Sequence, residues 1–468
     1  MSAERSLARE STVEHRPWLG AELKALTSLT MPIAAANLAE MAMSVTNMVM
    51  MGRLGATALA AGGLGGNLLW AVTIVPLGVV MAVGAVAAHA SGAGDREGVG
   101  RAAGQGLVLA FGLSVPALAV LWWMGPALAA FGADPGMVPL LTQYLRAIAW
   151  CMPAILAFSV LQRFVSALFR PRLPTVISIL AIGLNVLANE ALIFGRWGFP
   201  ALGVAGSGWA TTIVCWMQFA SLAVVVALTP SFRSYRPFRS AWPLHRAILH
   251  EILHVGWPIG CSIAVEAWFF LTTGLLVWQF GTEALAAHQV AVSFASIFYM
   301  IVMAISNAAT YRVAHASGAR APLAARRSGQ LAIWSAAAFM SLVAIGMWLF
   351  AEPIVGLYLD LDDPANRPVL PIAVTLLGIA AVFQIMDGVQ CAAAGALRGL
   401  KDTRATLVAA LFGYWVAGIG SGLGLGFALG LGPAGLWIGL AVGLAAAGVA
   451  LTWRFHAKSG ALLAAAAG

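Results

Sequence analysis

Twelve long stretches with almost no charge run through the chain, separated by short polar breaks. They cover residues 25–51, 58–89, 102–128, 137–169, 174–195, 203–228, 250–280, 284–316, 328–351, 368–397, 405–429 and 433–456. A helix that crosses a bilayer needs about 20 mostly apolar residues, and each stretch is long enough to do so with some tilt. A transmembrane β-barrel would show short alternating strands instead. Of the 468 residues, 61% are hydrophobic and 9% charged, against roughly 25% charged in soluble domains. So few charges cannot cover that much apolar surface in water. The expected fold is an all-α polytopic membrane protein with twelve transmembrane helices. Residues 1–24 are polar and lead into an apolar run too long for a cleaved signal, which reads as the first span.

The net charge is +8, and its placement explains it. Arg5, Arg9, Arg16 and Lys24 precede the first span, and Arg454 and Lys458 follow the last. Alternate connections carry Arg96 and Arg101; Arg170 and Arg172; Arg233, Arg236, Arg239 and Arg246; Arg312, Arg320, Arg326 and Arg327; and Arg398, Lys401 and Arg404. These are 21 of the 26 basic residues. Arg53, Arg196 and Arg367 fall on the other side, and Arg146 and Arg163 lie inside the fourth stretch. The positive-inside rule puts the 21, and both termini, in the cytoplasm. The charge orients a protein in the lipid bilayer and is not a nucleic-acid surface. Cys151, Cys215, Cys261 and Cys391 sit in apolar stretches without CxxC spacing and read as small buried hydrophobes, not as disulfide or zinc ligands.

The chain repeats itself. Pro32 and Glu40 are eight residues apart, as are Pro258 and Glu266, and the two pairs are offset by 226. The same offset carries Ala58-Leu59-Ala60-Ala61 onto Ala284-Leu285-Ala286-Ala287, and His89-Ala90-Ser91-Gly92 onto His315-Ala316-Ser317-Gly318. An offset of 228 carries Gln162 and Arg170 onto Gln390 and Arg398. Six spans per half, an even number, make the halves parallel repeats about an axis along the membrane normal, an arrangement common in secondary transporters. The expected organisation is a tail (1–24), a six-helix bundle (25–228), a basic linker (229–247), a second six-helix bundle (248–457) and a tail (458–468). Such a pair can rock around a site at its interface.

Four acids lie inside apolar spans: Glu40, Glu190, Glu266 and Asp387. A charge at the bilayer centre costs about 2.5–3.5 kcal/mol even on a lenient scale, and burial penalises the ionised form. Each is therefore a candidate carrier of a proton or a cation; the plainer alternative is a protonated acid making one interhelical hydrogen bond. Glu40 and Glu266 are repeat equivalents, each eight residues after a proline expected to bend its helix. Asn47 is about two turns beyond Glu40 on the same face. Asn185 and Asn189 share a face, with Glu190 turned about 100° from Asn189. These asparagines form a polar network around the acids or act as interhelical glue. Met41, Met43, Met48, Met50 and Met51 crowd the first span; Met41 and Met48 are candidates for an adaptable cavity wall, with ordinary packing as the alternative for most of the five.

PIAAANLAEMAMSVTNMVMMGRLG (32–55), LNVLANEALIFGRWGFPALGVAGSGWAT (184–211), ALAAHQVAVSFASIFYMI (284–301) and AVFQIMDGVQCAAAGALRGLKDT (381–403) together resemble the NorM-like bacterial branch of the multidrug and toxic-compound extrusion (MATE) family. The match runs in order from about Leu23 to Phe455. The resemblance implies an antiporter of the bacterial cytoplasmic membrane that expels small organic cations in exchange for H+ or Na+. It implies no cofactor, and a monomer is expected. It sets Glu266 and Asp387 on the family's seventh- and tenth-helix acids, where Na+ or H+ would bind. Three departures stand out. The family's first-helix aspartate falls on Asn47, which cannot titrate. A fifth-helix aspartate of some members is Asn189. Phe383, four residues before Asp387, stands where some Na+-dependent members have tyrosine, and it doubles as a substrate-cavity candidate. Coupling is therefore expected mainly at Glu266 and Asp387, with Glu40 or Glu190 in the first half, and the loss of one oxygen ligand leans toward H+.

Two rival functions fit parts of the sequence. His250-Glu251-Ile252-Leu253-His254 matches HExxH, the helical zinc motif of metalloproteases, and Asp387 would be the third ligand of an intramembrane protease; the motif, however, lies at the mouth of its span and Asp387 deeper. A lipid-linked saccharide flippase of the same superfamily is the nearer rival, and the twelve spans and the motifs above argue against it. The run from Gly420 to Gly432 reads as close helix packing. His89, His288 and His315 read as structural or interfacial.

Overall fold

The computed structural model describes residues 15–132, 134–360 and 363–467. Its long helices are α1 (His15–Gly52), α2 (Ala56–Gly92), α3 (Arg96–Ala130), α4 (Val138–Ala149), α5 (Met152–Ala167), α6 (Arg172–Phe194) and α7 (Val204–Leu228) in the first half. The second half contributes α8 (Arg246–Trp278), α9 (Thr282–Gly318), α10 (Pro322–Leu349), α11 (Val369–Gly399), α12 (Thr403–Ala428) and α13 (Gly432–Ala467). No strand occurs among the described residues. Among the described residues ten helices are long and apolar enough to cross a membrane, and α4 with α5, bent by 41° at their break, is so as a pair. The 38-residue α1 packs along α6 and α9. It is less apolar because it carries Asn37, Glu40, Ser44, Thr46 and Asn47. The chain is a multi-pass membrane protein with twelve passes.

The stretch 137–169, expected as one helix, is broken at Trp150 and Cys151. Pro153 lies in the first turn of α5. Proline lacks an amide hydrogen and its ring crowds the carbonyl four residues back; that residue is Ala149, where α4 ends. In α12 the helix widens into π-type turns over Leu411–Ile419 and Gly424–Ala428. Its glycines meet those of α13, Gly422 against Gly439 and Gly426 against Gly435, with no room for a Cβ at Gly435 or Gly439. That is the close packing the glycine run implied. Pro32 and Pro258 do not interrupt their helices: α1 and α8 continue through them.

The halves meet where α2 packs on α8 and α9, and where α1 packs on α9. The contact is uneven along the helices. Residues 78–88 of α2 are all buried, whereas most of residues 59–72 are partly or fully exposed. On α9, residues 304–311 are buried and 292–301 only half-buried. Gly256 of α8 packs on the backbone of Val79, and Gly260 on Val75 and Gly78. Nearer the basic end, Gly92 packs on the carbonyl of His315 and Gly318 on that of His89. The repeated His-Ala-Ser-Gly thus forms a contact between the halves. Ion pairs tie the same end together: Arg312 with Glu22 at 2.5 Å, Lys401 with Glu251 at 2.6 Å, and Arg454 and Lys458 with Asp402 at 3.0 and 3.1 Å. The halves are sealed toward the basic end and part toward the other.

Candidate functional site

Where the halves part, two pockets open beside each other. The one in the first half, about 460 Å³, takes Glu40, Asn47 and Met48 from α1, Trp70 from α2 and Arg163 from α5. The one in the second half, about 200 Å³, takes Glu266 and Phe270 from α8, Tyr299 from α9, and Phe383, Gln384 and Asp387 from α11. Trp70 lines both.

The second-half pocket follows from helical spacing. Phe383, Gln384 and Asp387 stand three and four residues apart and so share one face of α11. Asp387 is 4% exposed, and its Oδ1 has no hydrogen-bond partner; both side-chain amide atoms of Gln384 are likewise without one. Unpartnered buried polar atoms cost stability, so Gln384 and Asp387 are not explained by fold maintenance. Glu266 is half-buried opposite them. The remaining wall is aromatic. Phe270 and Phe383 meet edge-on at 5.8 Å, and Phe383 and Trp437 at 5.9 Å. The Trp437 indole donates to Nδ1 of His288 at 3.2 Å, which fixes the ring and gives His288 a positioning task. Two carboxyls before aromatic faces suit a cation.

Behind this pocket lies a chamber of about 40 Å³, lined by Glu266, Tyr299, Gln390, Arg398 and Tyr414. Glu266 lines both spaces and so forms the partition. The charge pattern counted Arg398 with the basic connections; instead it is buried, because its side chain turns back into the bundle from the last turn of α11. Its guanidinium donates to Oγ of Ser306 at 2.8 Å and to the carbonyl of Ala394 at 3.3 Å.

In the first half, Glu40 faces the pocket exposed and has no hydrogen-bond or ion-pair partner. Arg163 forms the pocket floor: with Asn37 and Gln162 it also lines a smaller cavity beneath. Its Nη1 lies 3.4 Å from the Tyr311 hydroxyl, across the seam between the halves, while its Nε has no partner. Asn37 donates across the same seam to the carbonyl of Met300 at 3.0 Å. The structure brings the three predicted asparagines together. Asn189 donates to Oδ1 of Asn47 at 2.8 Å and to Oδ1 of Asn185 at 3.0 Å, and Asn47 donates to Thr211 at 3.1 Å. The network laces α1, α6 and α7.

Glu190 stands apart. It is held by Arg53 at 3.3 Å and Arg196 at 3.1 Å, near the end of α6 away from the basic side. Of the predicted cavity residues, Met48 lines the first pocket and Phe383 the second, while Met41 lines neither. Arg163, Arg398, Tyr299, Tyr311 and Trp70 were not singled out as site residues. The available signal was Arg163, which with Arg146 is one of two arginines inside the fourth apolar stretch. Glu251 of the HExxH motif is tied to Lys401 at the basic end. Asp387 lies twelve residues before the end of α11 at Gly399, with Lys401 two residues further, roughly 20 Å away along a helix and too far to share a metal with that motif. No group of three His, Cys, Asp or Glu able to hold a metal occurs among the described residues.

Comparison with known proteins agrees with this architecture. The MatE family model matches residues 32–189 and 258–422, one match in each half. The chain is 41% identical over 435 residues to the probable multidrug resistance protein NorM of Burkholderia pseudomallei (strain K96243), covering 93% of this chain and 92% of that one. It is 42% identical over 438 residues to the multidrug resistance protein NorM of Burkholderia vietnamiensis, covering 93% and 94%. Among solved structures, an outward-facing multidrug resistance MATE family transporter superposes with a TM-score of 0.84 at 21% identity, covering 94% of this chain and 96% of that one. At that identity the likeness speaks for the fold alone. A matched family model over most of the chain, with relatives above 40% identity along nearly its whole length, establishes that the chain belongs to the MatE family.

Proposed function

We propose that this protein is a secondary multidrug efflux antiporter of a bacterial cytoplasmic membrane, with both termini cytoplasmic, that exports organic cations in exchange for H+ or Na+. The observation that carries the reading is the pairing of Glu266 and Asp387 on an aromatic wall of a cleft that is sealed at its basic end and open at the other. The basic end is taken as cytoplasmic, so the described state faces outward. The names of the relatives support drugs as the cargo.

In this scheme the coupling ion enters from outside and neutralises the two carboxyls, which lowers the cost of closing the halves around them. After closure the ion leaves toward the cytoplasm, and the vacated carboxylates supply the counter-charge for an organic cation. Phe270, Phe383 and Trp437 supply its apolar and cation–π contacts. We favour H+ as the ion: Na+ wants several oxygen ligands, and Phe383 puts a ring in place of an oxygen beside Asp387, leaving Glu266, Tyr299 and Gln384 among the other oxygens of the pocket. Glu40, facing Arg163, is the candidate acid of the first half. Exchange of one monovalent cation for two protons would add about 2.3 kcal/mol of drive per 100 mV. Flux of a fluorescent organic cation into liposomes, driven by an imposed ion gradient, tests the reading; a purified protein that moves none under either gradient is not such an antiporter.

A further inference from the structure

The segment joining the two halves is fastened down. Gln105 of α3 donates from Nε2 to the carbonyls of Ser240, Ala241 and Pro243 at 2.8, 3.3 and 3.2 Å, and its Oε1 accepts from the His245 amide at 3.2 Å. Gly100 and Gly104 let the backbone near Tyr235 and Ala241 press directly on α3. Phe232 is buried, and Tyr235 meets Phe164 edge-on at 6.1 Å. Arg170 donates to Ser231 at 2.7 Å and lies over the Phe232 ring.

Held in this way, the segment curves around a concavity of about 640 Å³. Val226 and Ala227, at the end of α7, form one wall; Arg233, Arg236, Arg239 and Ser234 form the other. Elsewhere at this end Arg101, Arg312, Lys401, Arg454 and Lys458 each meet a carboxylate. Among the described residues, Arg233, Arg236 and Arg239 meet none. The backbone of Arg236 is left-handed, with φ of 50°, a conformation that side-chain-bearing residues adopt at a cost. Around the concavity the surface is apolar: Leu228 is 72% and Trp242 76% exposed. Trp242 lies in the connecting segment, four residues before α8 begins, and exposed tryptophan near the start of a membrane helix suits headgroup level.

We propose that this concavity binds the phosphate of an anionic phospholipid of the adjacent leaflet, whose acyl chains lie along α7. Three guanidinium groups around one space match a phosphate's oxygens, and basic pockets beside membrane helices suit anionic headgroups. A free phosphate would satisfy the same cations but leave the Leu228 and Trp242 surface without a partner. Because the segment is pinned to α3, the lipid braces the joint between the halves. The inference stands apart from the transport reading and does not require it.

The test is native mass spectrometry of the full-length protein in detergent, titrated with phosphatidylglycerol or phosphatidylcholine, with inorganic phosphate as competitor. The wild-type protein should bind phosphatidylglycerol selectively, and phosphate should not displace it. Arg233→Gln/Arg236→Gln/Arg239→Gln should weaken binding on the order of a hundredfold, and Arg236→Gln alone about fivefold. The single variant carries the test if the triple variant does not fold. Arg320→Gln/Arg326→Gln, which removes charge elsewhere at the same end, should keep wild-type affinity. Unchanged binding in the Arg236 and triple variants, an equal loss in the control, or displacement by phosphate would each overturn the proposal.

Discussion

Gly92 lies against the backbone carbonyl of His315, and Gly318 lies against that of His89 in the same manner. These are one contact made twice. Each half supplies the His-Ala-Ser-Gly of its second helix, so a duplicated sequence provides both faces of a self-complementary seal, as in a two-fold dimer. A backbone carbonyl cannot swing aside as a side chain does, so the approach depends on glycine.

Gly92→Ala and Gly318→Ala should therefore pry the seal open to similar extents. Overpacking costs roughly 1–3 kcal/mol, enough to shift the balance between outward- and inward-open states about 5- to 150-fold against the former. Labelling of Ala87→Cys, buried in the seal, by an impermeant maleimide from the basic side reports the shift. Gly63→Ala, where a Cβ meets nothing, should leave labelling unchanged. Equal labelling in all three variants would mean that the glycine contact does not set the seal.

Arg163 and Tyr311 make a second bolt across the same seam. Arg163→Gln and Tyr311→Phe should each increase labelling at Ala87→Cys by a factor consistent with about 1.5 kcal/mol, the low end for a hydrogen bond to a charged group. The double variant should add little to either single one, because both remove the same bond. Full additivity would dissociate the two residues.

The passes were legible because hydrocarbon thickness imposes a run of apolar residues that nothing else requires. The repeat, and with it the pairing of Glu40 with Glu266, could be read from residue spacing. Depth and facing could not. A membrane helix is apolar nearly all round, so Met41 and Met48 look alike in sequence although only Met48 reaches a pocket. Glu190 lies in an apolar run, yet it is four residues from the end of α6 and within reach of Arg53 and Arg196. Arg398 looks like a loop cation until the last turn of α11 is seen to bury it. The break before Pro153 was legible in principle, since proline restricts the preceding turn.

Glu190 is expected to serve stability and not coupling. Its arginine partners are 58% and 63% exposed, and such pairs contribute about 0–1 kcal/mol. Glu190→Gln should keep wild-type transport and lower the unfolding temperature only slightly. Loss of ion-driven transport with unchanged stability would return Glu190 to the coupling set.

The asparagine network predicts an order of stability. Asn47→Leu removes the acceptor for Asn189 and the donor to Thr211, which should cost about 1–3 kcal/mol. Asn47→Asp keeps an oxygen acceptor for Asn189 and loses only the bond to Thr211, whose hydroxyl still donates to the Ser207 carbonyl, so it should unfold closer to wild type. Thermal unfolding in detergent checks the order; a leucine variant as stable as wild type would show that the network contributes nothing.

In the proposed mechanism Glu266 and Asp387 couple an ion gradient to export of an organic cation. Purified protein in liposomes, with H+ and Na+ gradients imposed separately, tests it directly beside Glu266→Gln and Asp387→Asn. Dye movement driven by the H+ gradient is expected in the wild-type protein and should be lost in both variants. Wild-type coupling retained in both variants would contradict it.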